Sequence, residues 1–143
     1  MSWAPAELDT DGGGVVVSWR PAVSDEEVVA LTVAVGGHRE PGWWDRVRVR
    51  SLGWVAAREP DGGLVGFVNV AWDGGDHAFL LDTMIAPARQ KQGMGTRVVR
   101  LATAHARRAG CEWLHVDFGA PLRAFYLGAC GFRPTDAGLV HLR

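Results

Sequence analysis

No apolar run in this chain of 143 residues approaches the roughly 20 needed for a membrane-spanning helix. Nor does Met1-Ser-Trp-Ala-Pro-Ala-Glu7 carry the basic and apolar regions of a secretory signal. The expectation is a cytoplasmic protein with no membrane partner. Cysteine is scarce: Cys111 and Cys130 are the only two, too few for a disulfide framework. Neither sign of charge prevails. Fifteen basic residues face 16 acidic ones, for a net charge of −1, which argues against a dominant basic face for nucleic acid or anionic lipid. The five histidines and two cysteines show no paired metal-ligand spacing, so no metal is expected. There is no Gly-Lys-Ser/Thr phosphate loop and no Gly-x-Ser-x-Gly elbow. Repeats and low-complexity tracts are absent, and there is a single tyrosine, Tyr126.

Hydrophobic residues make up 48% of the sequence, enough to bury a core, and the length suits one domain spanning residues 1–143. Residues 1–13 read as a loose leader. Val15 to Trp19 is β-branched and reads as a strand. Ser24-Asp-Glu-Glu27 has capping-box form, and Val28, Leu31, Thr32 and Val35 then recur at helical spacing until Gly36-Gly37. Between 38 and 51, Trp43, Val47 and Arg50 fit a short helix, although Val47 to Arg50 also alternates like a strand. Strands are expected over 52–59, 64–72 and 77–86. The turn signals Pro60-Asp-Gly-Gly63 and Asp73-Gly-Gly-Asp76 separate them, which implies an antiparallel meander.

The chain is organised around residues 77–100. An apolar strand runs through Pro87 into a basic loop, passes Gly93 and Gly95, and enters an amphipathic helix. Met94, Val98, Leu101, Ala102, His105 and Ala109 form the apolar stripe of that helix, and Gly110 ends it. A strand, a glycine-bearing loop and a helix together bind phosphate. First-turn amides lack intrahelical partners, the helix dipole adds partial positive charge, and glycine admits close backbone approach. Arg89, Lys91, Arg97 and Arg100 surround that point with positive charge. Trp113 to Phe118 is a further strand, expected to be parallel to the strand at 77–86. From Pro121 a last helix would turn Leu122, Phe125, Tyr126 and Ala129 inward. Residues 132–135 and 139–142 have the pattern of a closing hairpin. Gly93-Met-Gly95-Thr-Arg-Val98 also shares part of the dinucleotide fingerprint, but Val98 stands at the third glycine position and three antiparallel strands precede it.

Gln90-Lys-Gln-Gly93-Met-Gly95 resembles the pyrophosphate-binding signature of the GNAT N-acetyltransferase superfamily: Arg or Gln, two residues, Gly, one residue, Gly or Ala. Leu122-Arg-Ala-Phe-Tyr126 followed by Gly131-Phe132 is similar to the family's second signature, in the right order. The resemblance covers roughly residues 52–142. It implies an α/β (α+β) fold, a mixed and bent sheet with splayed central strands flanked by helices. It also implies acetyl-CoA as acyl donor. The thioester arm would pair with the strand edge at Met84 and Ile85, and the pyrophosphate would sit on Gln90, Lys91, Gln92, Gly93, Met94, Gly95 and Thr96. One departure is Gly119, where many members carry asparagine, so one side-chain contact to the cofactor is missing or replaced.

Acyl transfer to an amine needs a neutral amine, a polarised carbonyl and a proton or hydrogen bond for the departing thiolate. The resemblance puts Tyr126 in the thiolate-donor position; the alternative is a core aromatic beside Phe125. Asp82 is a carboxylate in an apolar strand, costly unless solvated, paired or used. It is the candidate base, with His77 or a water as alternatives. Trp43, Trp54 and Trp72, with Trp44, are candidate walls of the acceptor pocket, core packing being the alternative for each, and Asp117 is a candidate contact for a cationic substrate. The resulting expectation is an N-acetyltransferase acting on a small-molecule amine by direct attack in a ternary complex, as a monomer or homodimer. A non-catalytic acyl-CoA-binding module is the alternative. The sequence does not specify the acceptor or the acyl-chain preference.

Overall fold

The computed structural model describes residues 8–10 and 13–143. Six strands form one sheet in chain order: β1 (Leu8–Thr10), β2 (Val16–Trp19), β3 (Ser51–Arg58), β4 (Leu64–Trp72), β5 (His77–Ile85) and β6 (Trp113–His115). The first five are antiparallel to their neighbours, and β6 runs parallel to β5. The expected meander, and the parallel pair after it, are both present. Part of the expected loose leader is not loose: Leu8–Thr10 pairs with Val16–Ser18 and adds an edge strand. The rest of the leader through residue 12 lies outside the described residues.

Each face of the sheet carries its own core. Helix α3 (Met94–Arg108) sends Met94, Val98, Val99, Leu101, Ala102 and Ala106 against Val17, Val55, Val68, Val70, Ala78 and Leu80. The buried stripe has the expected period, with Ala106 in place of the exposed Ala109. Buried His105 stacks flat on Trp19, ring centroids 4.4 Å apart. On the other face, α1 (Asp25–Ala34) and α2 (Trp43–Val47) enclose Val28, Leu31, Trp44, Phe67 and Met84. Trp44 is wholly buried, edge-on to both Trp54 and Phe67. Within 38–51 the expected short helix is present over residues 43–50, α2 tightening into a 3₁₀ turn over Arg48–Arg50.

The C-terminal third departs from expectation in three places. β6 ends at His115 rather than Phe118, because the chain turns away from β5 there, although Val116 and Phe118 still pack on the α3-side core. The last helix is a 3₁₀ turn (Ala120–Leu122) followed by a π-helical segment (Ala124–Ala129). Its i→i+5 bond from the Cys130 amide to the Phe125 carbonyl, 2.9 Å, widens the period. Tyr126 is therefore buried and Phe125 partly so, while Leu122 and Ala129, expected on the inner face, are exposed. The closing hairpin does not form: residues 131–143 contain no strand, and Leu139, Val140 and Leu142 are more than 80% exposed. Alternating apolar residues make a strand only where a neighbouring edge receives their hydrogen bonds, and β6 stops short of them.

The start of α1 is tied to the end of β3. The Ser24 hydroxyl accepts from the Glu27 amide and the Ser24 amide donates to Glu27 Oε1, both at 3.1 Å, so the expected capping box is complete. Glu27 also accepts Arg58 Nη1 and Nη2 from the end of β3. The Arg58 guanidinium, helped by Ser24 and against the opposing effect of burial, holds the Glu27 carboxyl down at about 2. A carboxyl depressed in the folded state contributes stability above its unfolded value, near 4.5, and that contribution is lost as pH falls toward the folded value. Urea midpoints measured between pH 6 and 2 should therefore decline more steeply in the native chain than in Glu27→Gln. Equal acid limbs would show that the ion pair contributes nothing.

Candidate functional site

β5 is where the candidate site begins, because two irregularities meet in it. Its pairing with β6 covers only His77↔Trp113, Ala78↔Leu114 and Phe79↔His115, yet β5 continues to Ile85. From Leu80 onward its β6-facing edge has no strand partner among the described residues. On the opposite edge, Asn69 pairs with Leu81 and Phe67 with Met84, so three steps of β5 oppose two of β4. This is a β-bulge, and it carries Asp82 at φ +59°. The bulge exchanges faces along the strand. Leu80 belongs to the core under α3, whereas Met84 belongs to the core under α1 and α2. An unpaired edge that begins just ahead of a bulge leaves main-chain donors and acceptors open to an extended ligand.

The expected catalytic pair lies on the two sides of this opening. Tyr126 is 5% exposed, stacked on Phe118 and edge-on to Phe125 and Phe132. Burial raises its pKa above the ordinary phenol value, partly offset by a hydrogen bond with the Thr83 side chain. The phenol thus stays protonated at neutral pH, held against the bulge of β5. Thr83 went unnoticed in the sequence; its position beside Asp82 was its only signal. Asp82 is not isolated. Its Oδ1 accepts Arg39 Nη2 at 2.8 Å, and Arg39 lies over the Trp43 ring at 4.2 Å. Arg39 is a second residue that sequence reasoning missed, since nothing local marks a partner 43 positions away.

The tryptophans do not gather into one wall. Trp43 and Trp54 pack on the α1/α2 core, and Trp72 packs on the α3 core. Trp54 donates from Nε1 to the Pro21 carbonyl at 2.8 Å. Trp43 alone joins the Asp82–Arg39 group. Asp117 is exposed just beyond β6, and its charge reaches Tyr126. His77, on β5, makes a 2.8 Å contact from Nδ1 to His115 Nε2, and the His115 ring stacks on Phe79.

The loop after β5 has the geometry of an anion cradle. Lys91 and Gly93 both take left-handed backbone, at φ +61° and +80°, and Gly93 caps α3 with no side-chain bond to its first turn. The first helical bond there runs from the Arg97 amide to the Gly93 carbonyl, 3.1 Å, so the amides of Met94, Gly95 and Thr96 precede it without intrahelical partners. The glutamines serve the loop itself: Gln90 Nε2 donates to the Ile85 carbonyl at 3.0 Å and Gln92 Nε2 to the Ala88 carbonyl at 3.1 Å. Met94 is 3% exposed, leaving only its backbone to face a ligand. Arg89 is not mobile charge, since Nε and Nη2 both reach Glu59 at 2.5 Å. That pair braces the loop against the end of β3.

These features fit a coenzyme A thioester. The loop leaves first-turn amides without intrahelical partners, the edge of β5 past Phe79 has no strand partner among the described residues, and Tyr126 is buried against Phe118 after β6. Gly95 is needed for a different reason. A Cβ there would stand 3.0 Å from Phe125 Cζ, so the glycine lets α3 approach the segment that carries Tyr126. Gly95→Ala should displace Phe125, cost about 1–3 kcal/mol of stability in denaturant titration, and weaken acetyl-CoA binding in calorimetry. Unaltered stability and affinity would show that the close approach is not required.

Among the described residues there is no group of three or more His, Cys, Asp or Glu placed to hold a metal ion, and no helix is long and apolar enough to cross a membrane. The structure is similar to a GNAT-family acetyltransferase from Streptococcus pneumoniae TIGR4, with a TM-score of 0.74 at 20% identity over 90% of this chain and 99% of that one. It is also similar to AAC(6′)-Iy in complex with the bisubstrate analogue CoA-S-monomethyl-acetylneamine, with a TM-score of 0.70 at 16% identity over 90% and 97% of the two chains. In sequence, 59 residues are 39% identical to a mycothiol acetyltransferase of Nocardia farcinica, a match covering 41% of this chain and 20% of that relative. The family model described as Acetyltransferase (GNAT) family matches residues 18–132. The bulged strand, the glycine loop and the buried tyrosine thus stand in a chain that belongs to the GNAT acetyltransferase family.

Proposed function

We propose that this protein is an N-acetyltransferase that moves the acetyl group of acetyl-CoA to the primary amine of a small molecule, by direct attack in a ternary complex. The observation that carries the reading is the meeting of three elements near one bulge: the open edge of β5, the uncapped loop at 90–95, and buried Tyr126, whose pKa responds to Thr83. When bound, the cofactor supplies an activated acetyl thioester. Met84 and Ile85 hold its arm by main-chain bonds, and the amides of Gly93, Met94, Gly95 and Thr96 hold its pyrophosphate, with Lys91 adding charge and Gln90 and Gln92 keeping the loop in shape.

In the transfer a C–N bond forms, the C–S bond breaks, and the sulfur takes up negative charge. Tyr126 meets that charge with its hydroxyl. A thiol titrates near 8.5 and a free phenol near 10, and burial raises Tyr126 further. Complete proton transfer would be uphill by more than about 2 kcal/mol. The role that fits is a hydrogen bond that strengthens as the thiolate develops. Asp82 is the proposed base for the amine. Its Oδ1 accepts Arg39, which holds the carboxylate beside Trp43, and Trp43 and Asp117 are the proposed contacts for an amine-bearing acceptor. The amine class draws support from the bisubstrate analogue bound to AAC(6′)-Iy.

Thiol release from acetyl-CoA, measured with a panel of small amines, tests the activity. Tyr126→Phe should lower kcat at least about tenfold while the acetyl-CoA Kd stays within about threefold, the signature of an interaction made in the transition state. Unchanged turnover would reject the role. Because burial raises Tyr126, the native enzyme should show no alkaline loss of kcat up to about pH 9.5, below the free phenol value. A fall centred near pH 8 would place another group in control.

A further inference from the structure

Two of the five histidines meet on the sheet, at the end of β5 away from the glycine loop. β5 and β6 pair in parallel, with His77 opposite Trp113 and Phe79 opposite His115. Residues two apart on a strand share a face, so His77 and His115 are diagonal neighbours on one face of the pair. Their rings close that diagonal: His77 Nδ1 lies 2.8 Å from His115 Nε2. The His115 ring stacks on Phe79, centroids 4.6 Å apart and 14° from parallel, which holds one ring of the pair in place. His115 is exposed and His77 half-buried, so the pair is open to solvent.

A hydrogen bond between surface imidazoles is the ordinary explanation of such a contact. The geometry and the surroundings go further. Two nitrogens bound to one ion at about 2.0–2.1 Å stand roughly 2.8–3.4 Å apart, for angles from square-planar to tetrahedral. His77 and His115 already have that separation. Neither imidazole has another hydrogen-bond partner among the described residues, so an ion would displace only the proton the two nitrogens share. The local charge suits a cation. Asp73 and Asp76 stand in the turn before β5, and Asp73 Oδ1 accepts the His77 amide at 3.2 Å. Arg133 reaches the same strand pair, but it lies over the Trp113 ring, 5.5 Å from the centroid.

We propose that His77 and His115 bind a divalent transition-metal ion of the zinc, nickel or copper class, the ions that neutral imidazole favours. Two protein ligands are fewer than the three or four of catalytic and structural zinc sites, so water fills the remaining positions and the ion exchanges with solvent. On binding, the shared proton leaves to solvent and both nitrogens turn to the metal. The ion then cross-links β5 to β6 at Phe79↔His115, the last pair before the edge of β5 opens. The site does not depend on the acyl-CoA reading, and its loss leaves that reading as it stands.

Calorimetry with nickel chloride, on the full chain freed of any affinity tag, tests this. Near neutral pH one ion should bind per chain, and magnesium chloride, whose ion prefers oxygen ligands, should not compete. His77→Gln and His115→Gln should each weaken nickel binding at least about tenfold, with circular dichroism checking that both variants fold. His38→Gln/His141→Gln, which removes the other two exposed histidines, should bind as the native chain does. Affinity should fall as pH drops from about 7.5 to about 5.5, because protons and metal compete for the same nitrogens. Zinc chloride followed by NMR locates the ion: the ring signals of His77 and His115 should shift, and those of His38 and His141 should stay in place. No one-to-one binding, an affinity that survives either single substitution, or unshifted ring signals of the pair would each overturn the site.

Discussion

The hydrogen bonds that β5 does not make to β6 are the constraint on which this molecule depends. Parallel pairing stops at Phe79↔His115, while β5 runs on to Ile85. An unpaired main chain inside a sheet is costly unless water or a ligand satisfies it, so the open edge persists only because the rest of the fold holds it. Both cores contribute. The α3 side fixes Ala78 and Leu80, the α1/α2 side fixes Met84, and the bulge at Asp82 lets one strand serve both.

From that opening the candidate site follows by short connections. Four residues after β5, Arg89 is braced by Glu59, and the loop it steadies delivers the uncapped start of α3. Gly95 allows α3 to meet Phe125, and Phe125 packs edge-on to Tyr126, whose pKa responds to Thr83 on β5. The elements proposed to hold a thioester, and the tyrosine proposed to meet the departing sulfur, are thereby anchored near one bulge. Side chains locked by packing are what a pre-organised hydrogen bond to developing charge requires.

Much of this was legible in the residues. Strands β3, β4 and β5 declared themselves by alternation and by the turn signals between them, and the capping box at Ser24–Glu27 and the stripe of α3 are local patterns with local causes. The glycine loop and Tyr126 were legible because their signatures are short and contiguous. Less visible were contacts between distant positions: Arg39 on Asp82, Glu59 on Arg89, Thr83 on Tyr126. The tryptophans were ambiguous because an aromatic at a strand or helix position serves a core or a pocket equally well. Trp44 proved fully buried, and Trp72 lay on the opposite face from Trp43. Residues 139–142 misled because alternation specifies a strand's faces without supplying an edge for it to join.

The sequence by itself determined the order of elements from β2 to α3, the glycine loop and the family resemblance, because these rest on period, capping and glycine placement within a few residues. Tertiary structure alone decided where β5 parts from β6, which face each side of the bulge presents, and that the last helix takes π geometry. It also decided which charges are paired, and that His77 meets His115 across β5 and β6. Those outcomes depend on the packing of segments far apart in the chain, where the free energy of a contact belongs to both partners and neither one's local sequence encodes it.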